Sequence, residues 1–223
     1  MFEIGSSVAI KICGVTGVDD ALFCAESGVE MIGLNFASES PRQVTPSAAG
    51  EIIARVREQF SKPRFIGVFV NLDLIAVRRL IADLPLDGAQ LHGDESAEYA
   101  RQLDETFVIK ALRVGQAQSS VPAGDYDCDA ILLDSLSANA RGGTGETFPW
   151  SVATDLRPRV KRLILAGGLT SENVGGAIEA VRPFAVDTCS GVETAPGRKE
   201  HEKIARFVAA VRKANEKNEE ISI

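Results

Sequence analysis

Short apolar runs alternate along the chain with segments of helical periodicity. Eight of these runs have the length and composition of parallel strands buried on both faces, which read as nearly continuous hydrophobic stretches. Their predicted bounds are 8–12, 31–36, 65–70, 88–91, 107–111, 130–134, 163–166 and 185–188. Successive strands are about 25 residues apart, which is typical of the βα repeat in a small barrel.

Several segments between the strands show the amphipathic order of surface helices, with apolar positions three and four residues apart. We predict helices over 47–60, 74–80, 172–181 and 202–211. The tail 215–223 is mostly polar, so we expect it to fray beyond the last helix. Since no linker or change of composition divides the chain, residues 1–223 are predicted to form one α/β domain, a (βα)8 TIM barrel.

An open, doubly wound sheet would also alternate strands and helices. A dinucleotide-binding protein of that class would carry GxGxxG directly after its first strand. The segment Cys13-Gly14-Val15-Thr16-Gly17 does not match that spacing, and the glycine-rich 142–145 follows the sixth strand. The pattern therefore favours the barrel.

Composition narrows the possible partners. The chain has 45% hydrophobic residues and a formal net charge of −7, without a basic stripe that would follow a nucleic-acid backbone. No apolar run approaches the ~18 residues of a membrane span, and the first residues lack the pattern of a signal peptide. We therefore expect a soluble, cytoplasmic globular protein that binds neither nucleic acid nor membrane, as a monomer or a homodimer.

Four dispersed cysteines indicate reduced thiols rather than a disulfide framework or a zinc site. No pair has CxxC spacing, and we expect no metal at these positions. The cysteines are Cys13, Cys24, Cys128 and Cys189.

Residues with chemical capacity follow several of the predicted strands. In a TIM barrel the carboxyl ends of all strands meet at one face, where the active site lies. Cys13 follows the first strand, His92 the fourth, Asp134 ends the sixth, and Asp187 lies in the eighth. Arg42 belongs to the loop after the second strand. A thiol, two carboxyls and a cation are thus expected at one mouth.

Two glycine-rich turns follow the last two strands. Gly167 and Gly168 come after the seventh strand, and Ser190 and Gly191 come after the eighth. Barrels commonly bind phosphate there through backbone N–H groups. The sequence therefore predicts a phosphate site from these four residues.

Each position also has a structural reading. Cys13 is compatible with a small buried hydrophobe, and His92 with a hydrogen-bonded structural histidine. Arg42 is compatible with an ordinary surface cation, and Gly167-Gly168 with a plain strand-to-helix turn. Their convergence on one face of one barrel favours the functional reading.

Ordered motifs from the first strand to the eighth resemble those of the phosphoribosylanthranilate isomerase family. The most specific are KICG at the first strand and SGVE after the eighth. The motifs are Lys11-Ile12-Cys13-Gly14, Gly33-Leu34-Asn35-Phe36, Ser40-Pro41-Arg42, Gln90-Leu91-His92-Gly93, Leu132-Leu133-Asp134-Ser135, Gly142-Gly143-Thr144-Gly145, Ala166-Gly167-Gly168-Leu169 and Asp187-Thr188-Cys189-Ser190-Gly191-Val192-Glu193.

The resemblance implies an isomerase of tryptophan biosynthesis that needs no metal or organic cofactor. It would convert N-(5-phosphoribosyl)anthranilate into 1-(2-carboxyphenylamino)-1-deoxyribulose 5-phosphate by an Amadori rearrangement. By the same resemblance, Cys13 is the general base, Asp134 the general acid, and Arg42 the partner of the anthranilate carboxylate. Cys189 departs from the serine usual in the family, which we expect to affect local packing only.

Other enzymes of phosphosugars remain as alternatives. A histidine-pathway aminoaldose isomerase is expected to have aspartate in place of Cys13, and indole-glycerol-phosphate synthase requires an additional N-terminal segment. A catalytically inactive barrel that regulates a partner fits less well with the retention of Cys13, Asp134 and Arg42. A redox-thiol protein is a further class, but no resolving cysteine lies near Cys13 in the sequence.

Overall fold

Eight parallel strands close into a barrel in the order of the sequence. The computed structural model describes residues 7–103, 105–115, 123–135 and 150–221. The barrel strands are β1 (Ala9–Cys13), β2 (Met31–Asn35), β3 (Arg64–Phe69), β4 (Gly88–Leu91), β5 (Phe107–Val114), β6 (Ala130–Ser135), β7 (Leu163–Leu165) and β8 (Ala185–Thr188).

Helices cover the outside of the barrel, and a small hairpin follows β8. The hairpin pairs β9 (Glu193–Ala195) with β10 (Arg198–Lys199) in antiparallel fashion. No helix in the described ranges combines the length and apolarity needed to cross a membrane. The helices are α1 (Val18–Glu26), α2 (Pro46–Arg57), α3 (Leu74–Asp83), α4 (Ala97–Arg101), α5 (Trp150–Leu156), α6 (Val174–Val181) and α7 (His201–Ile221).

This architecture confirms the predicted α/β barrel. Each predicted strand coincides with an observed one to within a few residues. The agreement has a physical cause, because a strand covered by helices outside and by barrel contents inside must be apolar on both faces.

Alternation along each strand divides the hydrophobic residues between two layers. One layer fills the space between the strands and the helices and includes Ile10, Ile12 and Leu34. The other fills the barrel interior, and its members are Ala9, Met31, Ile66, Ile109, Ala111, Ala130, Leu132, Ile164, Ala166 and Ala185. Since side chains alternate along a strand, Lys11 and Cys13 share the inner face with Ala9.

The last helix is longer than predicted. Instead of fraying from Asn215, α7 continues through Ile221, and Asn215 is buried. Its side-chain Oδ1 accepts a hydrogen bond of 3.0 Å from the Val8 N–H, and its Nδ2 donates one of 3.0 Å to the Val8 carbonyl. The polar side chain satisfies the main chain beside β1, so its polarity does not indicate exposure.

Candidate active site at the barrel mouth

Cys13 lies at the carboxyl end of β1 and faces into the barrel. Its strand neighbour is Gly33 of β2, where a Cβ atom would lie 3.0 Å from Cys13 Sγ and 3.2 Å from Lys11 Nζ. A side chain at Gly33 would therefore displace the thiol, the ammonium group or both. Because Gly33 has no side chain, the Cys13 thiol and the Lys11 ammonium group can both occupy this space.

Lys11 forms a buried ion pair with Asp187 below the thiol. The Nζ–Oδ1 distance is 3.0 Å, and the lysine side chain is fully buried. Burial lowers the pKa of Lys11, but the charges of Asp187 and Cys13 outweigh it and raise that pKa above its ordinary value. Lys11 therefore places a fixed positive charge directly under the mouth.

The surroundings of Cys13 favour its thiolate form. A hydrogen bond from the Cys189 side chain is the largest cause that lowers the pKa of Cys13 well below its usual range. The positive charges of Lys11 and Lys199 act in the same direction, whereas burial opposes them. A thiolate is the form of cysteine that can accept a proton.

We therefore expect Cys13 to keep more of its reactivity toward iodoacetamide than an ordinary thiol does as the pH is lowered below about 8. An ordinary thiol would lose reactivity about tenfold per pH unit below its pKa of ~8.5, since only the thiolate reacts. Cys24 is a control, because burial raises its pKa to about 12. Peptide mapping of modified protein measures both sites. A rate at Cys13 that falls tenfold per unit from pH 8 would contradict the ionised thiol.

Arg42 reaches the same mouth from the loop after β2 and is held by Glu193 of β9. Arg42 Nε lies 2.9 Å from Glu193 Oε1, and Nη2 lies 2.7 Å from Oε2. Lys199 Nζ lies 2.9 Å from Oε1 of the same carboxylate. Burial disfavours the charged carboxylate, but hydrogen bonds from Arg42 and the charge of Lys199 keep the pKa of Glu193 below its ordinary value. The guanidinium is thus positioned before any ligand binds, with Nη1 outside this contact.

His92 and Asp134 meet on the far side of the mouth. His92 Nε2 lies 3.4 Å from Asp134 Oδ2, and Gln90 Nε2 lies 2.8 Å from His92 Nδ1. If the amide nitrogen donates to Nδ1, the ring proton of His92 is on Nε2 and faces the carboxyl. β4 and β6 are each three strands from β1 around the closed barrel. The carboxyl of Asp134 therefore lies across the mouth from the Cys13 thiol.

The two carboxyl groups of the mouth differ in environment. Asp134 has a side chain that is 31% exposed. Asp187 is buried, and burial raises its pKa to about 7 although Lys11 pulls it down. The glycine-rich segment 142–145, which follows β6 in the sequence, lies outside the described residues.

The turns after β7 and β8 lie side by side, as predicted for a phosphate site. Gly167 and Gly168 have φ angles of +84° and +67°, in the left-handed region that glycine adopts readily. The Thr188 hydroxyl at the end of β8 donates a hydrogen bond of 2.8 Å to the carbonyl of Leu169. Ser190 and Gly191 follow in a 3-10 turn, Ser190–Val192. The structure therefore brings together the four residues predicted from the sequence.

Sequence reasoning missed four side chains of this site: Lys11, Cys189, Glu193 and Lys199. The position of Lys11 could have been predicted from the sequence, because residues two apart on a strand lie on the same face and Cys13 faces the barrel interior. Glu193 lies in a quoted motif, but its partner Arg42 is distant in sequence. Cys189 was expected to affect packing only, yet its thiol interacts with the proposed base.

An ionised thiol, a carboxyl across the mouth and an anion-binding pair of turns suit proton transfer on a phosphorylated substrate. The fixed guanidinium of Arg42 adds a site for a second anionic group. Within the described ranges, no group of three His, Cys, Asp or Glu side chains could hold a metal ion.

Comparison with known proteins agrees with this chemistry. A sequence profile of the family described as N-(5'phosphoribosyl)anthranilate (PRA) isomerase matches residues 10–210. The N-(5'-phosphoribosyl)anthranilate isomerase of Trichlorobacter lovleyi is 40% identical over 210 residues, which cover 93% of this chain and 99% of that protein.

Solved structures give the same result in three dimensions. Monomers generated from the dimeric phosphoribosylanthranilate isomerase of Thermotoga maritima superpose with a TM-score of 0.80 at 37% identity, covering 92% of this chain and 99% of theirs. A phosphoribosyl anthranilate isomerase in complex with reduced 1-(o-carboxyphenylamino)-1-deoxyribulose 5-phosphate superposes with a TM-score of 0.76 at 35% identity, with the same coverage.

Proposed function

The chain belongs to the N-(5'-phosphoribosyl)anthranilate isomerase family and is an isomerase of tryptophan biosynthesis, and from that premise we propose that Cys13 and Asp134 are its base and its acid. The observation that carries this assignment is their placement. A thiol with a lowered pKa ends β1, and a carboxyl ends β6 across the mouth. The substrate would lie between them.

Asp134 acts first, as the acid that opens the sugar ring. Its proton goes to the ring oxygen of the ribose while the bond from that oxygen to carbon 1 breaks. The lone pair of the anthranilate nitrogen replaces that bond and gives an iminium ion. His92, 3.4 Å from Asp134, is placed to return a proton to the carboxylate or to bind a hydroxyl of the sugar.

Cys13 then acts on the iminium ion, which acidifies the hydrogen on carbon 2. The thiolate removes that proton, and the electrons of the broken bond flow toward the nitrogen to give an enolamine. Protonation at carbon 1 and loss of the hydroxyl proton at carbon 2 give the aminoketose. The substrate's own nitrogen serves as the electron sink, so no cofactor takes part in this proposal.

Two anionic anchors hold the substrate between the two groups. The phosphate is assigned to the turns at Gly167, Gly168, Ser190 and Gly191, where backbone N–H groups meet an anion. The carboxylate of the anthranilate ring is assigned to Arg42, whose guanidinium Glu193 already holds in place. Fixed geometry between reacting groups contributes several kcal/mol to a rate. We assign Asp187 to substrate positioning, because it holds the ammonium group of Lys11 in place below the mouth.

Arg42→Ala is expected to raise KM by about 10- to 150-fold with a smaller change in kcat. This range corresponds to the loss of about 1.5–3 kcal/mol for a hydrogen bond to a charged group. Steady-state kinetics with the aminoaldose measure both constants through the loss of anthranilate-type fluorescence. Arg55→Ala is the control, because Arg55 pairs with Glu58 on the outer face of α2. If KM stays constant while kcat collapses, Arg42 stabilises the transition state instead.

We further propose a cytoplasmic enzyme whose partner is a small phosphosugar. Its four cysteines are free thiols in the structure, as in proteins of reducing compartments. A net charge of −7 disfavours binding to nucleic acid. Either a monomer or a homodimer is compatible with the fold, and light scattering on the purified protein distinguishes them.

A further inference from the structure

Two of the four cysteines meet at the barrel mouth although they lie far apart in sequence. β1 and β8 are neighbours, with Lys11 opposite Asp187 and Ile12 opposite Thr188. Cys13 and Cys189 each follow this last registered pair, and a Cβ atom at Gly14, next to Cys13, would lie 3.0 Å from Cys189 Sγ. The interaction between the two thiols is also the largest cause that lowers the pKa of Cys13 and raises that of Cys189. Cys189 is therefore a candidate resolving cysteine that is far from Cys13 in the sequence but close to it in the fold.

The strand arrangement suits a disulfide. Neighbouring strands are about 4.8 Å apart. A disulfide requires Cα atoms about 4.4–6.8 Å apart and Cβ atoms that point toward each other. Cys13 and Cys189 directly follow paired residues of neighbouring strands, so closure of the S–S bond requires the two side chains to rotate toward each other.

The chemistry of the two sulfurs is unequal, as in a reactive pair. The pKa of Cys13 is lowered well below its ordinary value, whereas the interaction with Cys13 and burial raise the pKa of Cys189 well above it. Cys189 Sγ also lies 3.6 Å from Lys199 Nζ. The positive charges of Lys11 and Lys199 also lower the pKa of Cys13, and positive charge beside a thiolate is typical of cysteines that react with peroxide.

We propose that Cys13 and Cys189 form a reversible disulfide that inactivates the isomerase when hydrogen peroxide oxidises the mouth. The Cys13 thiolate attacks one peroxide oxygen and displaces hydroxide, which leaves a sulfenic acid. The Cys189 sulfur then attacks the Cys13 sulfur and releases water. Two thiols lose two electrons and two protons in total, and one peroxide becomes two waters. A dithiol reductant reverses the bond by exchange.

Loss of activity in this proposal rests on the proposed function, because it requires Cys13 to be the base. Formation of the disulfide does not depend on that role. Disulfide formation is therefore measured by peptide mapping, and the loss of activity is measured separately by turnover.

The other cysteines provide matched controls. Cys24 belongs to the layer between the barrel and the helices, and burial raises its pKa to about 12. The Cys128 thiol donates a hydrogen bond of 3.3 Å to the Ala130 carbonyl. Neither lies at the mouth, so Cys24→Ala and Cys128→Ala should respond to peroxide as the wild type does.

The test titrates the reduced wild-type enzyme with hydrogen peroxide and follows activity, intact mass and disulfide-linked peptides. We expect activity to fall by about 10²-fold, the scale of a lost acid–base group. The fall should parallel a crosslink between the Cys13 and Cys189 peptides, and dithiothreitol should reverse both. In Cys189→Ala, scored against its own untreated activity, the loss should become irreversible as Cys13 proceeds to sulfinic acid.

Two results would overturn the proposal, and they differ in what else they affect. If activity is lost without a Cys13–Cys189 crosslink, the disulfide is wrong while Cys13 remains the base. If the crosslink forms and turnover continues, the switch is wrong, and so is the assignment of Cys13 as base.

Discussion

Cys13→Ser is expected to lower kcat by about 10²-fold or more, the scale of a lost acid–base group, while fold and substrate affinity stay close to those of the wild type. A serine hydroxyl is similar in size but does not ionise near neutral pH. Lys11 and Cys189, which lower the pKa of the thiol, cannot make an alcohol into a comparable base. The chemical step should therefore slow while the anchors at Arg42 and the glycine turns stay in place.

Steady-state kinetics and binding of a reduced product analogue measure the two parts of this prediction. Cys128→Ser is the matched control, because a hydroxyl can replace the thiol that donates to the Ala130 carbonyl. A Cys13→Ser enzyme with a kcat near that of the wild type would remove Cys13 from the mechanism.

Asp134→Asn is expected to abolish turnover and leave binding of the product analogue largely intact. An amide retains the shape of the side chain but cannot donate the proton that opens the ring. The contact with His92 Nε2 can persist through the amide oxygen, so the local structure should survive. Loss of activity would then result from the missing acidic proton and not from a disturbed fold.

Asp187 is the alternative candidate for the general acid, so Asp187→Asn is compared with Asp134→Asn. Burial raises its pKa to about 7, which would keep it partly protonated near neutral pH. Its partner Lys11 is fully buried, so Asp187→Asn removes the carboxylate from a buried ion pair and should lower the free energy of unfolding by about 3–5 kcal/mol. Thermal unfolding of both variants therefore accompanies their kinetics.

A pH series of kcat/KM for the two variants assigns the acid. We expect Asp134→Asn to lose the alkaline limb, along which a general acid gives up its proton, and nearly all turnover. Asp187→Asn should retain a measurable rate with its pH dependence. If Asp134→Asn keeps the alkaline-limb pKa and most of kcat while Asp187→Asn loses both, the roles are reversed.

The fold could be predicted because its signal is local. The run before Asp134 is apolar throughout and the run before Cys13 is apolar except for Lys11, as expected of strands covered on both faces. Barrel topology then places the strand ends together, so Cys13, His92, Asp134 and Asp187 could be expected at one mouth.

The connections between these residues could not be predicted in the same way. The contact of Cys13 with Cys189 depends on the register at which β8 closes against β1. The ion pair between Arg42 and Glu193 joins the loop after β2 to the hairpin after β8. Asn215 misled the prediction of the tail, because its polar side chain binds the main chain of Val8. Such partners follow from tertiary structure and leave no periodic signal.

The removal of the proton from carbon 2 by Cys13 is tested most directly with substrate deuterated at that carbon, in single turnovers of the wild type and Cys13→Ser. The account predicts a slowed reaction in Cys13→Ser with a fully expressed primary isotope effect, because proton removal has become rate-limiting. A Cys13→Ser enzyme that is equally slow but shows no isotope effect would contradict it, since the substitution would then have impaired a different step.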